Sequence, residues 1–197
     1  NSETTLNHIK YVKLFDDKTI YFSANARLYS YDLTTNTYDI LTLNGGTNEP
    51  VTYFDFNQNY LVTTYQDQCK IFSLKNKTHI TKKGISISNG SSVALNSNNE
   101  LFTVDSSGGI FKSTINDKSV QQDFSPLTND TPSKLIANND YIYYILNGKI
   151  HRITTDGRNH VEFSTHQQDK SFDLGNITYP TDISFKGDNL LVLQYDS

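Results

Sequence analysis

The chain has 197 residues and a formal net charge of −4, from 17 basic and 21 acidic residues, and it contains one cysteine. This length fits a single domain, the mild charge argues against nucleic acid as the main ligand, and one cysteine excludes a scaffold of internal disulfides. Since no run approaches about 18 consecutive apolar residues, no membrane-spanning helix is predicted.

The first predicted repeat is a series of short strands separated by turn residues. Its third strand alternates cleanly, with Leu28 and Ser30 on one face and Tyr29 and Tyr31 on the other, as expected for a strand in a half-buried sheet. Aspartate, lysine and asparagine, which favour turns, fill the gaps between the strands. The four predicted strands are 8–15, 19–23, 27–33 and 38–43.

The next three repeats have the same order of strands and turns. Asn-Gly at 147–148 and Asp-Gly at 156–157 are typical of tight hairpin turns that need positive φ angles. No segment shows a sustained helical period. The predicted strands are 51–56, 60–65, 69–74 and 78–82, then 92–95, 100–104, 109–114 and 120–124, then 134–137, 141–146, 149–154 and 161–164.

The end of the chain departs from this pattern. Segment 165–179 is the least regular and is predicted to be a surface loop, a common location for function. Only two strands follow it, at 182–185 and 189–195, so the last would lie at an open sheet edge. We expect that another protein, or the remainder of its own parent chain, pairs with strand 189–195.

The apolar runs recur with a regular period. They begin at residues 19, 59, 100, 141 and 189, so their spacings are 40, 41, 41 and 48. A four-stranded repeat of roughly 40–45 residues is the period of a β-propeller blade. The predicted fold is therefore an all-β propeller of about five repeats with an incomplete last blade, in one domain or propeller fragment over 1–197. The repeats are placed near 8–43, 51–82, 92–124, 134–164 and 182–197.

Segments of three repeats resemble known propeller families. Residues 27–36 and 70–77 resemble the strand endings of WD-repeat and kelch-like blades, although the Trp-Asp and Gly-His pairs of WD repeats are absent. Segment 141–159 resembles a blade of the YWTD-type propellers of lipoprotein receptors, with an aromatic strand, a second strand and an Asp-Gly turn. These resemblances imply a propeller that binds protein or peptide ligands.

Tyrosines and arginines are the candidate binding residues. Tyrosines recur at comparable strand positions, and our preferred interpretation is that their rings pack one blade against the next. Where tyrosine or arginine is left exposed, it is a natural hot spot for protein binding. The binding residues predicted on this basis are Arg27, Tyr29, Tyr31, Tyr143, Arg152 and Arg158.

Catalytic and metal signatures are missing from the sequence. Three histidines lie near three acidic residues, but none of the spacings is a known ligand signature. The sequence also lacks a Gly-x-Ser-x-Gly elbow and a phosphate-binding loop. No metal, no cofactor and no enzymatic activity are predicted, and Cys69 is expected to be a small buried strand residue. The histidines and acidic residues concerned are His151, His160 and His166, and Asp156, Glu162 and Asp169.

The function predicted from these observations is a non-enzymatic protein-interaction scaffold within a larger protein or complex. The alternative is a carbohydrate-binding, lectin-like propeller of a secreted or surface protein. The lack of disulfides favours the cytoplasm or nucleus, and the absence of methionine indicates a processed or excised piece. Glycosylation-type triplets at Asn76, Asn89, Asn129 and Asn176 are as many as chance predicts in so Asn-, Ser- and Thr-rich a chain.

Overall fold

The computed structural model describes residues 9–41, 50–80, 84–123, 125–163, 180–187 and 189–194. In these residues the chain forms nineteen β-strands and no helix. All the strand pairs are antiparallel, and they build five successive sheets, of which the last has two strands. The predicted all-β fold of four-stranded repeats with an incomplete last blade is confirmed.

Each sheet takes its strands from one continuous stretch of chain. Sheet 1 contains β1 (Ile9–Leu14), β2 (Thr19–Ala24), β3 (Arg27–Asp32) and β4 (Thr37–Ile40). Sheet 2 contains β5 (Tyr53–Phe56), β6 (Tyr60–Tyr65), β7 (Gln68–Ser73), β8 (Thr78–His79) and β9 (Ile85–Ser86). Sheet 3 contains β10 (Ala94–Leu95), β11 (Glu100–Val104), β12 (Ile110–Ile115) and β13 (Val120–Gln122). Sheet 4 contains β14 (Lys134–Ala137), β15 (Tyr141–Leu146), β16 (Lys149–Thr154) and β17 (His160–Phe163), and sheet 5 contains β18 (Pro180–Lys186) and β19 (Asn189–Gln194).

Sheet 2 differs from the prediction of a single fourth strand at 78–82. Two short strands, β8 and β9, pair with different parts of β7. Gly84 stands directly before β9, where a Cβ atom would lie 2.5 Å from the Gln68 side chain and 3.2 Å from the Cys69 carbonyl oxygen. Glycine therefore permits the close approach that pairs Cys69 with Ile85. Residues 81–83 and the predicted loop 165–179 lie outside the described residues.

The turns between the first and second strands of sheets 2, 3 and 4 are each capped by an asparagine side chain. In sheet 3 the Asn96 carboxamide oxygen accepts the backbone N–H groups of Asn98 and Glu100, and Asn57 and Asn138 cap the equivalent turns of sheets 2 and 4. These caps also link neighbouring sheets, because the Asn57 amide donates to the Asn96 carbonyl oxygen at 2.8 Å. The recurring asparagines thus fix both the turn and the stacking of the sheets.

Apolar clusters fill the spaces between consecutive sheets. Leu61 and Phe72 of sheet 2 pack with Leu28 of sheet 1, and the other face of sheet 2 packs on sheet 3. Further clusters lie between sheets 3 and 4 and between sheets 4 and 5. We call the face that a sheet turns to the next sheet its forward face and the opposite face its rear face. Four such interfaces stack the five sheets in chain order.

The first strands of the five sheets lie side by side at the centre of the array. β1 contacts β5, β5 contacts β10, β10 contacts β14, and β14 contacts β18, as the innermost strands of propeller blades do. Lys134 on β14 forms an ion pair with Asp182 on β18 at 2.9 Å, and its ammonium lies 4.1 Å from the ring centroid of Tyr11 on β1. Side chains of sheets 1, 4 and 5 therefore meet at the central axis.

Candidate interaction surface

The forward face of sheet 5 exposes two leucines among polar residues. Leu191 lies opposite Ser184 and Leu193 lies opposite Asp182 in the β18–β19 register. Leu191 is 49 % exposed and Leu193 is 64 % exposed. A shallow groove runs between these two strands on the same face.

The equivalent positions of sheet 4 show what normally covers such a face. Tyr143 and Ile145 occupy the same register positions in β15 as Leu191 and Leu193 do in β19. Tyr143 is 2 % exposed and Ile145 is 4 % exposed, because sheet 5 packs on them. Leu191 and Leu193 thus occupy positions that are buried in sheet 4, but no sheet covers them in the described part of the chain.

The edge of sheet 5 is open as well. In sheets 1 to 4 a third strand pairs with the second strand. Among the described residues, β19 pairs only with β18, so the N–H and C=O groups on its outer edge have no strand partner there. An edge of this kind is a template for pairing with another chain. We call the forward face and this free edge of sheet 5 the end surface.

The opposite end of the array also carries exposed apolar side chains. On the rear face of sheet 1, Val12 and Leu14 are more than half exposed. The centre of that face is different, because Phe22 and Tyr29 are buried and their rings stack 5.1 Å apart. Tyr38 and Ile40 on β4 are each 39 % exposed on the same face. The exposed parts of the rear face therefore lie along its two outer strands, β1 and β4, on either side of a buried centre.

The predicted binding residues of sheet 1 lie in two places. Tyr29 is only 2 % exposed, so its ring contributes to packing. Tyr31 belongs to the same cluster, is partly buried, and donates its hydroxyl to the Asn36 side chain at 3.2 Å. Arg27 begins β3 and is exposed. The two tyrosines therefore belong to the packed rear face.

The predicted binding residues of sheet 4 divide in the same way. Tyr143 and Arg152 are register partners on the forward face, where Tyr143 makes an edge contact with Phe185 of sheet 5. The guanidinium of Arg152 lies 4.5 Å from the ring centroid of Tyr141, a cation–π contact. Arg158 is in the turn between β16 and β17, where its side chain is 83 % exposed and lies 3.4 Å from Asp156.

A polar cluster occupies the outer part of the rear face of sheet 4. The Tyr144 hydroxyl donates to the Asp130 carboxylate at 2.5 Å and lies 2.9 Å from Nε2 of His160. That nitrogen is in turn 3.2 Å from Nδ1 of His151. Burial lowers the pKa of His151, partly offset by the Glu162 carboxylate, while burial and Asp130 raise the pKa of Tyr144. We call Asp130, Tyr144, His151 and His160 the tyrosine–histidine cluster.

The structure brings together only part of the histidine-rich region considered in the sequence. His151, His160 and Glu162 share one face of sheet 4, and Asp156 lies in the turn between β16 and β17. His166 and Asp169 lie outside the described residues. Within the described ranges, no group of three histidine, cysteine or acidic residues could hold a metal ion. Cys69 is fully buried, and burial raises its thiol pKa to about 12.

Sequence analysis missed Asp130 and Tyr144 in this cluster and Lys134 and Asp182 at the axis. Tyr144 is the register partner of His151, so the pairing of 141–146 with 149–154 already contained that signal. For Asp130 the sequence contained no such signal, because this residue lies in an irregular connection, 14 residues from Tyr144. The axial ion pair joins equivalent positions in consecutive first strands, which an alignment of the repeats would have shown.

Comparison with known proteins defines the fold and no family. No protein-family model and no curated protein sequence matches the chain. Among solved structures it is similar to virginiamycin B lyase from Staphylococcus aureus (16 % identity, TM-score 0.60) and to BamB from Moraxella catarrhalis (11 % identity, TM-score 0.58). It is also similar to the computationally designed Ika8 protein (14 % identity, TM-score 0.62). The lyase and BamB are β-propellers, and at these identities the likeness shows the fold alone.

The alignments cover nearly all of this chain and only part of each solved structure. They include 94 % of this chain and 63 % of the lyase, 96 % and 56 % for BamB, and 95 % and 55 % for the Ika8 protein. The chain therefore spans less than two thirds of each of them. In the described residues there is no helix with the length and apolarity that crossing a membrane requires.

Proposed function

We propose that the chain is a non-enzymatic protein-interaction module whose partner covers the end surface of sheet 5. The observation that carries this proposal is the pair Leu191 and Leu193, which are exposed at positions whose equivalents in sheet 4 are buried by a neighbouring sheet. The partner is a polypeptide with an apolar face and a strand that pairs with β19, either another protein or the remainder of a longer parent chain.

Both the face and the edge support a polypeptide as the ligand. The free N–H and C=O groups of β19 fit strand addition, in which main-chain hydrogen bonds give affinity and alternating side chains give specificity. Leu191 and Leu193 supply apolar contact area, and Asp182 beside them supplies one carboxylate that is already paired with Lys134. A third strand laid along β19 would extend the two-stranded sheet toward the four strands of its neighbours.

Photo-crosslinking tests this proposal directly. Benzoylphenylalanine is placed at position 193 and, as a control, at position 33, because Leu33 is also an exposed leucine but lies in the turn after β3. We expect a polypeptide from the source cells to crosslink through position 193 and not through position 33. Light scattering of the purified chain then distinguishes a second protein from a second copy of this chain.

Introducing negative charge on the end surface provides a complementary test of partner binding. Leu191→Asp with Leu193→Asp places two carboxylates where the partner's apolar face would lie, and we expect loss of the partner that the wild type and Leu33→Asp retain. Circular dichroism checks that the double variant is folded. Retention of the partner by the folded double variant would show that it binds elsewhere on the molecule.

A further inference from the structure

The connection between sheets 3 and 4 is held against both sheets. Ile110 of β12 forms an isolated bridge with Thr128, and the Leu127 side chain packs in the cluster between sheets 3 and 4. Two residues after Thr128, the Asp130 carboxylate accepts the Tyr144 hydroxyl on sheet 4. This hydrogen bond therefore fastens the connection to sheet 4.

Only one assignment of hydrogen-bond donors and acceptors is consistent for the tyrosine–histidine cluster at neutral pH. The single Tyr144 hydroxyl proton goes to Asp130, so the Tyr144 oxygen must accept from Nε2–H of His160. With its proton on Nε2, His160 also faces Nδ1 of His151, which must then be an unprotonated acceptor. His151 therefore carries its own proton on Nε2.

This order makes the two histidines respond differently to acid. A proton added to His160 enters at Nδ1, away from the cluster, and leaves every hydrogen bond in place. A proton added to His151 can enter only at Nδ1, and it sets two N–H groups against each other where the nitrogens are 3.2 Å apart. Since neither can accept, protonation of His151 is incompatible with the closed arrangement.

The surroundings of His151 are consistent with this role. Its ring is buried and stacks on the Tyr144 ring, with the ring centroids 5.2 Å apart. The charged groups that act on it are Glu162 and Lys149 of sheet 4, which form an ion pair with each other, His160 of the cluster itself, and Asp130 of the connection. Burial outweighs the two carboxylates and keeps the pKa of His151 below its ordinary value.

We propose that the tyrosine–histidine cluster is an acid-sensitive clasp, which holds the connection 125–133 on sheet 4 at neutral pH and opens when His151 takes up a proton at Nδ1. On opening, the His160 ring moves into solvent, because its side chain is already 42 % exposed whereas His151 is buried. The Asp130–Tyr144 hydrogen bond then loses its support and the connection separates from sheet 4.

Nuclear magnetic resonance of the ¹⁵N-labelled chain tests the clasp on the wild type alone. At pH 7.5 we expect His151 to be the neutral tautomer with its proton on Nε2, seen in the imidazole nitrogen shifts. On titration to pH 4.5, the backbone amide signals of Leu127 and Asp130 should shift with the midpoint of His151. A His151 ring with its proton on Nδ1 at pH 7.5 would overturn the proposal.

Two variants and a control separate the clasp from general acid effects. His160→Gln alters the exposed member of the pair, and Tyr144→Phe removes the hydroxyl that links His160 to Asp130 while keeping the buried ring. In both, the amide shifts of Leu127 and Asp130 should no longer follow His151. His79→Gln removes a histidine that packs on Phe72 in sheet 2 and should leave the wild-type titration unchanged. An unaltered titration in the first two variants would contradict the clasp.

Discussion

Two hairpin turns of this chain have the same left-handed backbone but differ in the residue at their second position. Asn25 and Ala26 join β2 to β3 with φ angles of 50° and 55°, and Asn147 and Gly148 join β15 to β16 with φ angles of 51° and 71°. Both turns place two successive residues in the left-handed region, which suits the twist of a hairpin. Alanine is strained there and glycine is not.

Replacing Ala26 by glycine and Gly148 by alanine should therefore change the free energy of unfolding in opposite directions. Ala26→Gly is expected to raise the free energy of unfolding by about 1 kcal/mol by removing left-handed strain. Gly148→Ala should lower it by about the same amount, and no neighbouring atom lies within 4 Å of the added methyl group to confuse the result. Urea unfolding followed by circular dichroism measures both, and equal signs would contradict the strain argument.

Asn96 is the most connected of the turn asparagines. Its side chain accepts two backbone N–H groups and donates to the Glu100 carboxylate and to the Asn138 carbonyl oxygen. Asn96→Ala should cost about 2 kcal/mol of unfolding free energy because it leaves buried polar groups unpaired. Asn98→Ala, an exposed change in the same turn, should alter it by less than about 0.5 kcal/mol. Chemical unfolding of the two variants makes the comparison, and similar losses would show that the cap is not the cause.

At the scale of strands and sheets, most of the architecture follows from local sequence. The strand limits are set by alternation and by side-chain caps such as Asn57 and Asn138, both of which are visible in the sequence. The split between β8 and β9 is not visible there, since it depends on the approach of Gly84 to Gln68 and Cys69 of β7.

The candidate sites were predictable only where local pattern determines them. The two-stranded last repeat and the open edge of its final strand indicated the edge of the end surface. The burial of Tyr29 and Tyr143 depends on which face another group covers, and a strand pattern does not give that. The tyrosine–histidine cluster needs the path of connection 125–133, which has no periodicity, so the meeting of Asp130 with Tyr144 was not predicted.

Equivalent positions in sheets 4 and 5 should respond differently to the same truncation. Tyr143→Ala removes a buried ring between two sheets and should cost about 3–5 kcal/mol of unfolding free energy. Leu191→Ala, at the matching position of the uncovered sheet, should cost less than about 0.5 kcal/mol in the purified chain. Thermal and urea unfolding of both variants tests this difference. A large loss from Leu191→Ala in the isolated chain would mean that its face is already covered.

At the scale of the whole molecule, stacking in chain order makes stability depend on neighbouring sheets. Four apolar interfaces join the five sheets, and each sheet contacts chiefly those beside it, as in repeat proteins whose stability is a sum of units and interfaces. The axial contacts are an exception, because Lys134 of sheet 4 reaches Tyr11 of sheet 1. The two ends of the array are thus coupled through its centre.

Acid should destabilise the molecule in two separate steps. Burial holds the pKa of His151 below its ordinary value of 6.5, so the unfolded chain binds this proton first and stability falls as pH drops below 6.5. A second fall is expected below about pH 4, because hydrogen bonds within turns lower the pKa of four aspartates from 3.8. These are Asp16, through the Lys18 backbone N–H; Asp32, through the Thr34 hydroxyl; Asp105, through the Ser107 hydroxyl; and Asp156, through the Thr154 hydroxyl.

Substitutions at His151 and at the four turn aspartates should separate the two falls in stability with pH. Asn57, Asn96 and Asn138 cap the turns equivalent to that of Asp16, which shows that asparagine can replace aspartate as a turn cap. Changing all four turn aspartates to asparagine therefore keeps an oxygen acceptor in each turn and removes the titrating carboxylates. We expect the urea midpoint of this variant to decline less below pH 4 while its loss below pH 6.5 is unchanged. His151→Gln should remove the first decline and leave the second. If the four-fold variant and the wild type fall together below pH 4, then carboxylates other than those in the turns control acid stability.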